Sequence, residues 1–371
     1  GRVMFARWKL TICVMLSCVV SNALTENAFG NDAPVRRPRP QLFELRFPSN
    51  ESVQTGRPRT TLTVTYTGTA PTSTNPGASV MPNIQVQGVY LGSAFGTGKS
   101  NASDVAFFDG FLSYLVGNTS PYMKVLAPYG VSTGTAAPGK VFTGTLPHYT
   151  RTNRVYLTDT QIQNILIANI SSLIAPSPNT LYVVYTEPGV AIDAGGGATS
   201  INTFLGYHNY ATYTAGGVTN SFAYAVMPYP GSPNPSSSSQ GFANARDELT
   251  SVTSHEIGEA ATDADTMNGW LETVIETDTY KNSSGKVIAQ YNYYYTGEEI
   301  GDVPLILYKW SPSCFVRLNG YLVQKMISPD GKTMLTYPAS SPMAGSIPEL
   351  IVPASLHVAE QALQFLGFNQ P

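Results

Sequence analysis

Hydrophobic and polar residues alternate cleanly along 59–67 (RTTLTVTYT), the two-residue period of a strand with one buried face. A second strand is predicted at 84–92 (IQVQGVYLG), after a Gly-, Pro-, Ser- and Thr-rich loop at 68–79. The period then changes. Val105, Phe107, Phe108, Phe111, Leu112, Leu115 and Val116 fall at helical spacing over 103–117, with Ser103 placed as a cap. Ile162, Ile165, Leu166, Ile170, Leu173 and Ile174 repeat that spacing over 159–175. Apolar runs at 179–186 (NTLYVVYT) and 222–230 (FAYAVMPYP) are bounded by turn residues and predict buried strands. Strand, helix, strand, helix, strand in this order predicts an α+β fold, a mixed sheet covered by helices. A low-complexity loop follows at 231–241, then a helix of about four turns at 247–262. Strands are expected at 286–297, 304–310 and 320–326, and a final helix at 355–367. No internal repeat or boundary interrupts the pattern, so 59–371 reads as a single domain.

The stretch before that domain has a different character. Residues 1–9 are basic, 10–20 are apolar, and Ser21, Asn22 and Ala23 supply small residues at a cleavage position. This is the pattern of a secretory signal peptide, too short for the ~20 apolar residues of a membrane span. Residues 24–58 are rich in Pro and Arg and read as a disordered tail.

Composition sharpens the picture. Charged residues make up only 12% of the 371, with Gly 33 and Pro 27, which suits a secreted chain with many strands and polar loops. The formal charge of -3 becomes about -6 once Arg2, Arg7 and Lys9 are removed with the leader, and no basic cluster remains to bind nucleic acid. Nor does the mature chain have a membrane segment. Loss of Cys13 and Cys18 leaves Cys314 alone, so the fold must rest on its core, bound ions or glycans. N-x-[ST] sequons at Asn50, Asn101, Asn118, Asn169 and Asn282 are candidate glycosylation sites.

Against this charge-poor background, acids concentrate twice. In HEIGEAATDAD (255–265), the i, i+4 pair His255 and Glu259 shares one helix face, with Glu256 beside His255 and Asp263 and Asp265 following. The pattern is that of a zinc-peptidase helix with Glu in place of the second His, and zinc accepts carboxylate oxygen. His255, Glu259, Asp263 and Asp265 are therefore candidate ligands of Zn2+ or of a harder ion such as Ca2+ or Mn2+. Glu256 is the candidate general base and His208 a candidate oxyanion donor. The second concentration, Glu298, Glu299 and Asp302, is expected to approach the first: gathered carboxylates repel unless a cation or proton compensates. Glu299 and Asp302 would serve a second metal or orient first-ion ligands. The alternative for both clusters is ordinary solvated charge.

The segment LTSVTSHEIGEAATDADTMNGW (249–270) resembles the signature of the phosphate-induced, EXORDIUM-like secreted proteins and their relatives. SPYMKVLAPYG, NTLYVVYTEPGVAI, GYHNY, FAYAVMPYP, GEEIGD and NGYLVQKMIS extend the likeness in order over roughly 84–330. The resemblance implies conserved roles for His255, Glu256, Glu259, Asp263, Glu299 and Asp302, a zincin-like metal helix, and a cell-wall or growth setting. Two positions depart from it: Ala264 stands where the family has proline, and Pro304 where it has a cysteine that forms a disulfide near the site.

The expectation is thus a secreted, extracellular, single zincin-like α+β domain acting as a metal-dependent hydrolase, most simply a zinc metallopeptidase on a peptide or extracellular polymer. The alternative is a non-catalytic extracellular or cell-wall-associated protein with a structural ion. Oligomeric state is not legible in the sequence.

Overall fold

The computed structural model describes residues 41–44, 59–66, 79–266, 269–281, 287–329, 331 and 333–337. The leader at 1–23, Asn50, Asn282 and the helix expected at 355–367 lie outside the described residues, as does most of 24–58. Within that last segment, read as tail, Gln41–Glu44 instead forms a strand, β1.

In chain order β1 is followed by β2 (Arg59–Tyr66), β3 (Asn83–Leu91), helices α1 (Ala102–Leu115) and α2 (Pro121–Leu126), and β4 (Thr133–Phe142). Next come β5 (Leu157–Thr158), α3 (Asp159–Ala168), β6 (Thr180–Thr186), β7 (Ile192–Gly195), β8 (Ala198–Thr199), β9 (Phe204–Ala215) and β10 (Val218–Met227). Helix α4 (Ala245–Thr262) precedes the hairpin β11 (Glu272–Lys281) and β12 (Val287–Glu298). The described chain ends with α5 (Asp302–Leu307) and the hairpin β13 (Phe315–Leu318) and β14 (Tyr321–Gln324).

The main sheet is mixed, in the order β1-β9-β10-β6-β3-β4. Strands β10, β6, β3 and β4 run parallel, while β9 is antiparallel to both β10 and β1. Every residue of β6 is buried, as expected of a parallel strand covered on both faces. Leu181, Val183 and Tyr185 enter the core shared with α1, α2 and α4, whereas Tyr182 and Val184 enter a second core shared with α3. In the first core Tyr185 stacks on Phe108 at 4.6 Å and on Tyr90 at 5.4 Å between ring centroids. Burying each such ring contributes roughly 1.5–3 kcal/mol. Strands β2, β11 and β12 form a separate antiparallel sheet. The fold is α+β, with helices on both faces of the mixed sheet.

Several boundaries differ from expectation for local reasons. Helix α1 takes Asn101, not Ser103, as its N-cap residue. Helix α3 starts where expected, with a Thr158–Gln161 capping box, but stops at Ala168; Ile170–Ser172 is a separate 3-10 turn. The apolar run at 304–310, expected as a strand, falls mostly in α5; a run this short does not separate the two by period. Strand β4 is mostly exposed or half-buried and rich in Gly, Ala and Thr, so it carries little alternating signal.

Candidate metal centre

Helix α4 begins at Asn244, whose side chain accepts the Asp247 amide. Asp247 in the first turn is held bidentately by Arg317, at 2.9 and 2.7 Å. From Asp247 to Thr262 every residue is buried. A helix enclosed on all sides is ordinarily apolar; this one carries His255, Glu256 and Glu259 through the core. Glycine makes the enclosure possible: a Cβ on Gly258 would meet Met326 Cε at 2.8 Å and Tyr122 Oη at 2.9 Å.

Around the helix the polar side chains converge from three elements. His255 Nε2 lies 2.9 Å from Glu259 Oε1 and 3.6 Å from Asp302 Oδ1, the first residue of α5. His208, from β9, places Nδ1 3.1 Å from Glu256 Oε2 and 3.7 Å from Glu259 Oε2, and Nε2 3.6 Å from Glu299 Oε1. Exposure of His208, His255, Glu256, Glu259 and Glu299 is at most 1%. Among the described residues, two groups have donor atoms close enough to hold a metal ion: His208, Glu256 and Glu259, and His255, Glu259 and Asp302.

Neighbouring groups set the ligand orientations. Gln324 Nε2 donates to the Gly301 carbonyl at 2.6 Å, which turns Gln324 Oε1 toward His255 Nδ1 at 3.2 Å. That contact requires the proton on Nδ1 and leaves the Nε2 lone pair facing Glu259 and Asp302. Gln324 is itself fixed by Ser254 Oγ on its amide and Tyr337 Oη on its carbonyl. Gly301 is needed for the approach, because a Cβ there would lie 2.5 Å from His255 Nδ1 and 2.8 Å from Glu259 Oε1.

Electrostatics leave this cluster in need of a cation or of protons. Burial, with His255 nearby, pushes His208 down to about 3, and burial lowers His255 to about 4, so both rings are neutral and can donate a lone pair. Burial raises Glu259 well above the carboxylate range, despite the Gly301 and Asp302 amides that lower it. Glu299 is raised by burial and then by Glu259, Asp263, Asp302 and Glu256. Both carboxylate oxygens of Glu299 lack a hydrogen-bond partner among the described residues. Buried carboxylates left in this state are costly unless a cation or proton compensates. The donor set, imidazole nitrogen with carboxylate oxygen, fits a divalent ion.

The residues singled out from sequence divide accordingly. His208, His255, Glu256, Glu259, Glu299 and Asp302 are brought together. Asp263 is the buried C-cap residue of α4; its Oδ1 accepts the Gly269 amide at 2.9 Å, and it belongs to neither ligand group. Asp265 is half-buried with its amide on Ser79 Oγ, also outside both groups. Helical phase stops at Thr262, and Asp263, at φ -148 and ψ 65, turns the chain off the ligand face. Asp302, rather than Asp263 or Asp265, is the third member of the His255 and Glu259 group. Glu256, expected to stand clear of the ion, sits in a ligand group with His208, because β9 brings His208 against that side of α4. Sequence reasoning missed Gln324 and Gly301; GYLVQKM reads as plain strand, and only its place in the resemblance marked it.

The described sequons and Cys314 belong to neither ligand group. Asn118 is exposed, whereas the half-buried Asn101 and Asn169 donate their side-chain amides to Asp104 Oδ2 and the Ile165 carbonyl. Cys314 is buried and free, its Sγ 3.5 Å from the Pro304 carbonyl. Comparison with protein-family models, curated proteins and solved structures returned no match.

Proposed function

We propose that the protein is a secreted, extracellular metalloprotein in which a divalent cation, held by His255, Glu259 and Asp302, braces the fold. The observation that carries this reading is the burial of the donors: His255 and Glu259 are at most 1% exposed, and their partner Asp302 comes from a separate element. An ion there would tie α4 to the start of α5 and offset carboxylate charge in the core. Secretion rests on the leader pattern at 1–23, and the extracellular setting on the resemblance to EXORDIUM-like proteins.

The second reading is a metal-dependent hydrolase, zinc metallopeptidase-like in its HEIGE helix and zincin-like in fold, acting on a peptide or extracellular polymer. Two observations favour it. Three protein donors leave a tetrahedral Zn2+ one open position, and the Asp302 side chain is 19% exposed, giving the cluster an edge toward solvent. Glu256 would then accept a proton from the attacking water. Mn2+ and Ca2+ are alternatives to zinc on this oxygen-rich set.

Elemental analysis of purified protein, with thermal unfolding and a broad peptide-library assay with and without chelator, separates the two. Bound metal whose removal lowers stability, with no cleavage, supports the brace. Chelator-sensitive cleavage lost in Glu256→Gln supports the hydrolase. Protein with no metal and unchanged stability in added Zn2+, Mn2+ or Ca2+ would reject both.

A further inference from the structure

The two ligand groups share a residue, and their geometry is paired. Each has one histidine and two carboxylates, and Glu259 belongs to both. Its two oxygens are divided between them: Oε1 lies 2.9 Å from His255 Nε2, and Oε2 lies 3.7 Å from His208 Nδ1. Each histidine also has its second nitrogen on the side of an oxygen, within hydrogen-bonding distance for His255 only. His255 Nδ1 meets Gln324 Oε1 at 3.2 Å, and His208 Nε2 meets Glu299 Oε1 at 3.6 Å. A metal-binding histidine is oriented in just this way, by an amide or carboxylate oxygen behind it.

Glu299 supplies a second, independent observation. It is fully buried, and both its oxygens lack a hydrogen-bond partner among the described residues. With His208 bound through Nδ1, its Nε2 would carry the proton on the side of Glu299, 3.6 Å away.

We propose that this cluster is a dinuclear centre, in which Glu259 bridges two divalent cations, one held with His208 and Glu256 and the other with His255 and Asp302. The proposal rests on the metal-binding reading above and extends it from one ion to two. Carboxylate-bridged ions of this kind lie about 3.5–4 Å apart in two-metal sites. One imidazole and two carboxylates per ion suit first-row cations such as Mn2+, Fe2+ or Zn2+.

The test uses the full mature chain, stripped of metal and equilibrated with Mn2+ alone. Bound metal is counted by elemental analysis after dialysis, and spin coupling is read by electron paramagnetic resonance. The expected result is about two Mn2+ per chain with the spectrum of a coupled pair. Glu256→Gln and Asp302→Asn should each reduce the count to about one and abolish the coupling, with far-ultraviolet circular dichroism confirming that the variants fold. The wild-type measurement decides even if a variant does not fold. One Mn2+ per chain, or two without coupling, overturns the dinuclear centre and leaves the single-ion reading in place. No bound Mn2+, and none when the measurement is repeated with Zn2+ or Ca2+, overturns both.

Discussion

On one face of the main sheet, the Asp159 carboxylate accepts from Tyr207 Oη at 2.6 Å, Tyr224 Oη at 2.8 Å and Gln163 Nε2 at 2.8 Å. On the other face, Glu299 is fully buried and has no hydrogen-bond donor among the described residues. The faces are divided by one strand: Tyr207 and His208 are consecutive in β9 and point to opposite sides. Asp159 is answered by hydroxyl and amide donors that the chain itself provides. Around Glu299 the chain instead provides more carboxylates and two neutral imidazoles. The first arrangement is complete as a protein structure; the second needs a cation or a proton. That contrast, more than the HEIGE motif, is what a metal would answer.

The most forceful way to break the comparison is to remove the cation. Chelation of wild-type protein should lower the unfolding free energy by about 4 kcal/mol if the ion had been present at roughly a thousand times its dissociation constant. Asp159→Asn should lower stability in both forms and leave the chelator effect unchanged, since its partners lie on the other face. Urea unfolding of both proteins, with and without chelator, measures this. A chelator effect that disappears in Asp159→Asn would join what the comparison separates.

Glu248 sharpens the comparison as a third case. It lies in the first turn of α4, 2% exposed, with Oε2 lacking a hydrogen-bond partner, and belongs to neither ligand group. Burial raises its carboxyl to about 7, against a smaller lowering by Ser237. Here the compensating charge is a proton. Because the folded pKa lies above the unfolded one, the folded state holds the extra proton between about pH 4.5 and 7, and stability falls as pH rises through that window. Glu248→Gln removes the penalty. Its stability relative to wild type should rise by on the order of 3 kcal/mol from pH 4.5 to pH 8. A flat difference across that range would show that Glu248 is not held protonated.

How far the sequence revealed these three cases depends on where their partners lie. Fold class, the central strands and helix α4 were legible, because their signals are local: β6 is a run of seven buried residues, and α4 has an acidic first turn, although its Asn244 cap was not foreseen. His255 and Glu259 were legible for the same reason, one helical turn apart on one face. The approach of Glu299 and Asp302 was expected only from scarcity of acids, not from pattern. Asp263 was read as a ligand one further helical turn on, and Asp265 from a turn after the helix that would return to the metal; the chain instead turns away at Asp263. Gln324 and the donors around Asp159 were not foreseen; these pairings cross 69 positions from His255 to Gln324, and 48 and 65 from Asp159 to Tyr207 and Tyr224. No periodicity reports a contact made by the fold as a whole.

Glu299→Gln tests whether the metal face is incomplete without its ion. In the chelated protein, at a pH high enough to ionise Glu299, the amide should stabilise by about 1–3 kcal/mol, since it removes a carboxylate buried without donors. In the metal-loaded protein the change should be unfavourable by a similar amount, because His208 loses a carboxylate behind it. The reversal of sign is the prediction. Matched unfolding curves with the same sign in both forms would place the partner of Glu299 within the protein.

The smallest effect expected is on the complete face. Tyr224 Oη donates to Asp159 and accepts from Gln163 Nε2 at 2.8 Å, so Tyr224→Phe removes one donor from the carboxylate and one acceptor from the amide. Tyr207 and Gln163 still hold Asp159, at 2.6 and 2.8 Å, so the loss should be about 1 kcal/mol, the net value of one such bond. Tyr224 shares no hydrogen-bond partner with Glu299, although Ala225, its neighbour, is paired with His208 across the sheet. The two substitutions should therefore add. In a double-mutant cycle of Tyr224→Phe and Glu299→Gln, the interaction energy should stay within about 0.5 kcal/mol, with or without metal. A larger coupling would mean that the backbone of β9 and β10 transmits strain between the faces, and that the two carboxylate sites are one network divided by a sheet.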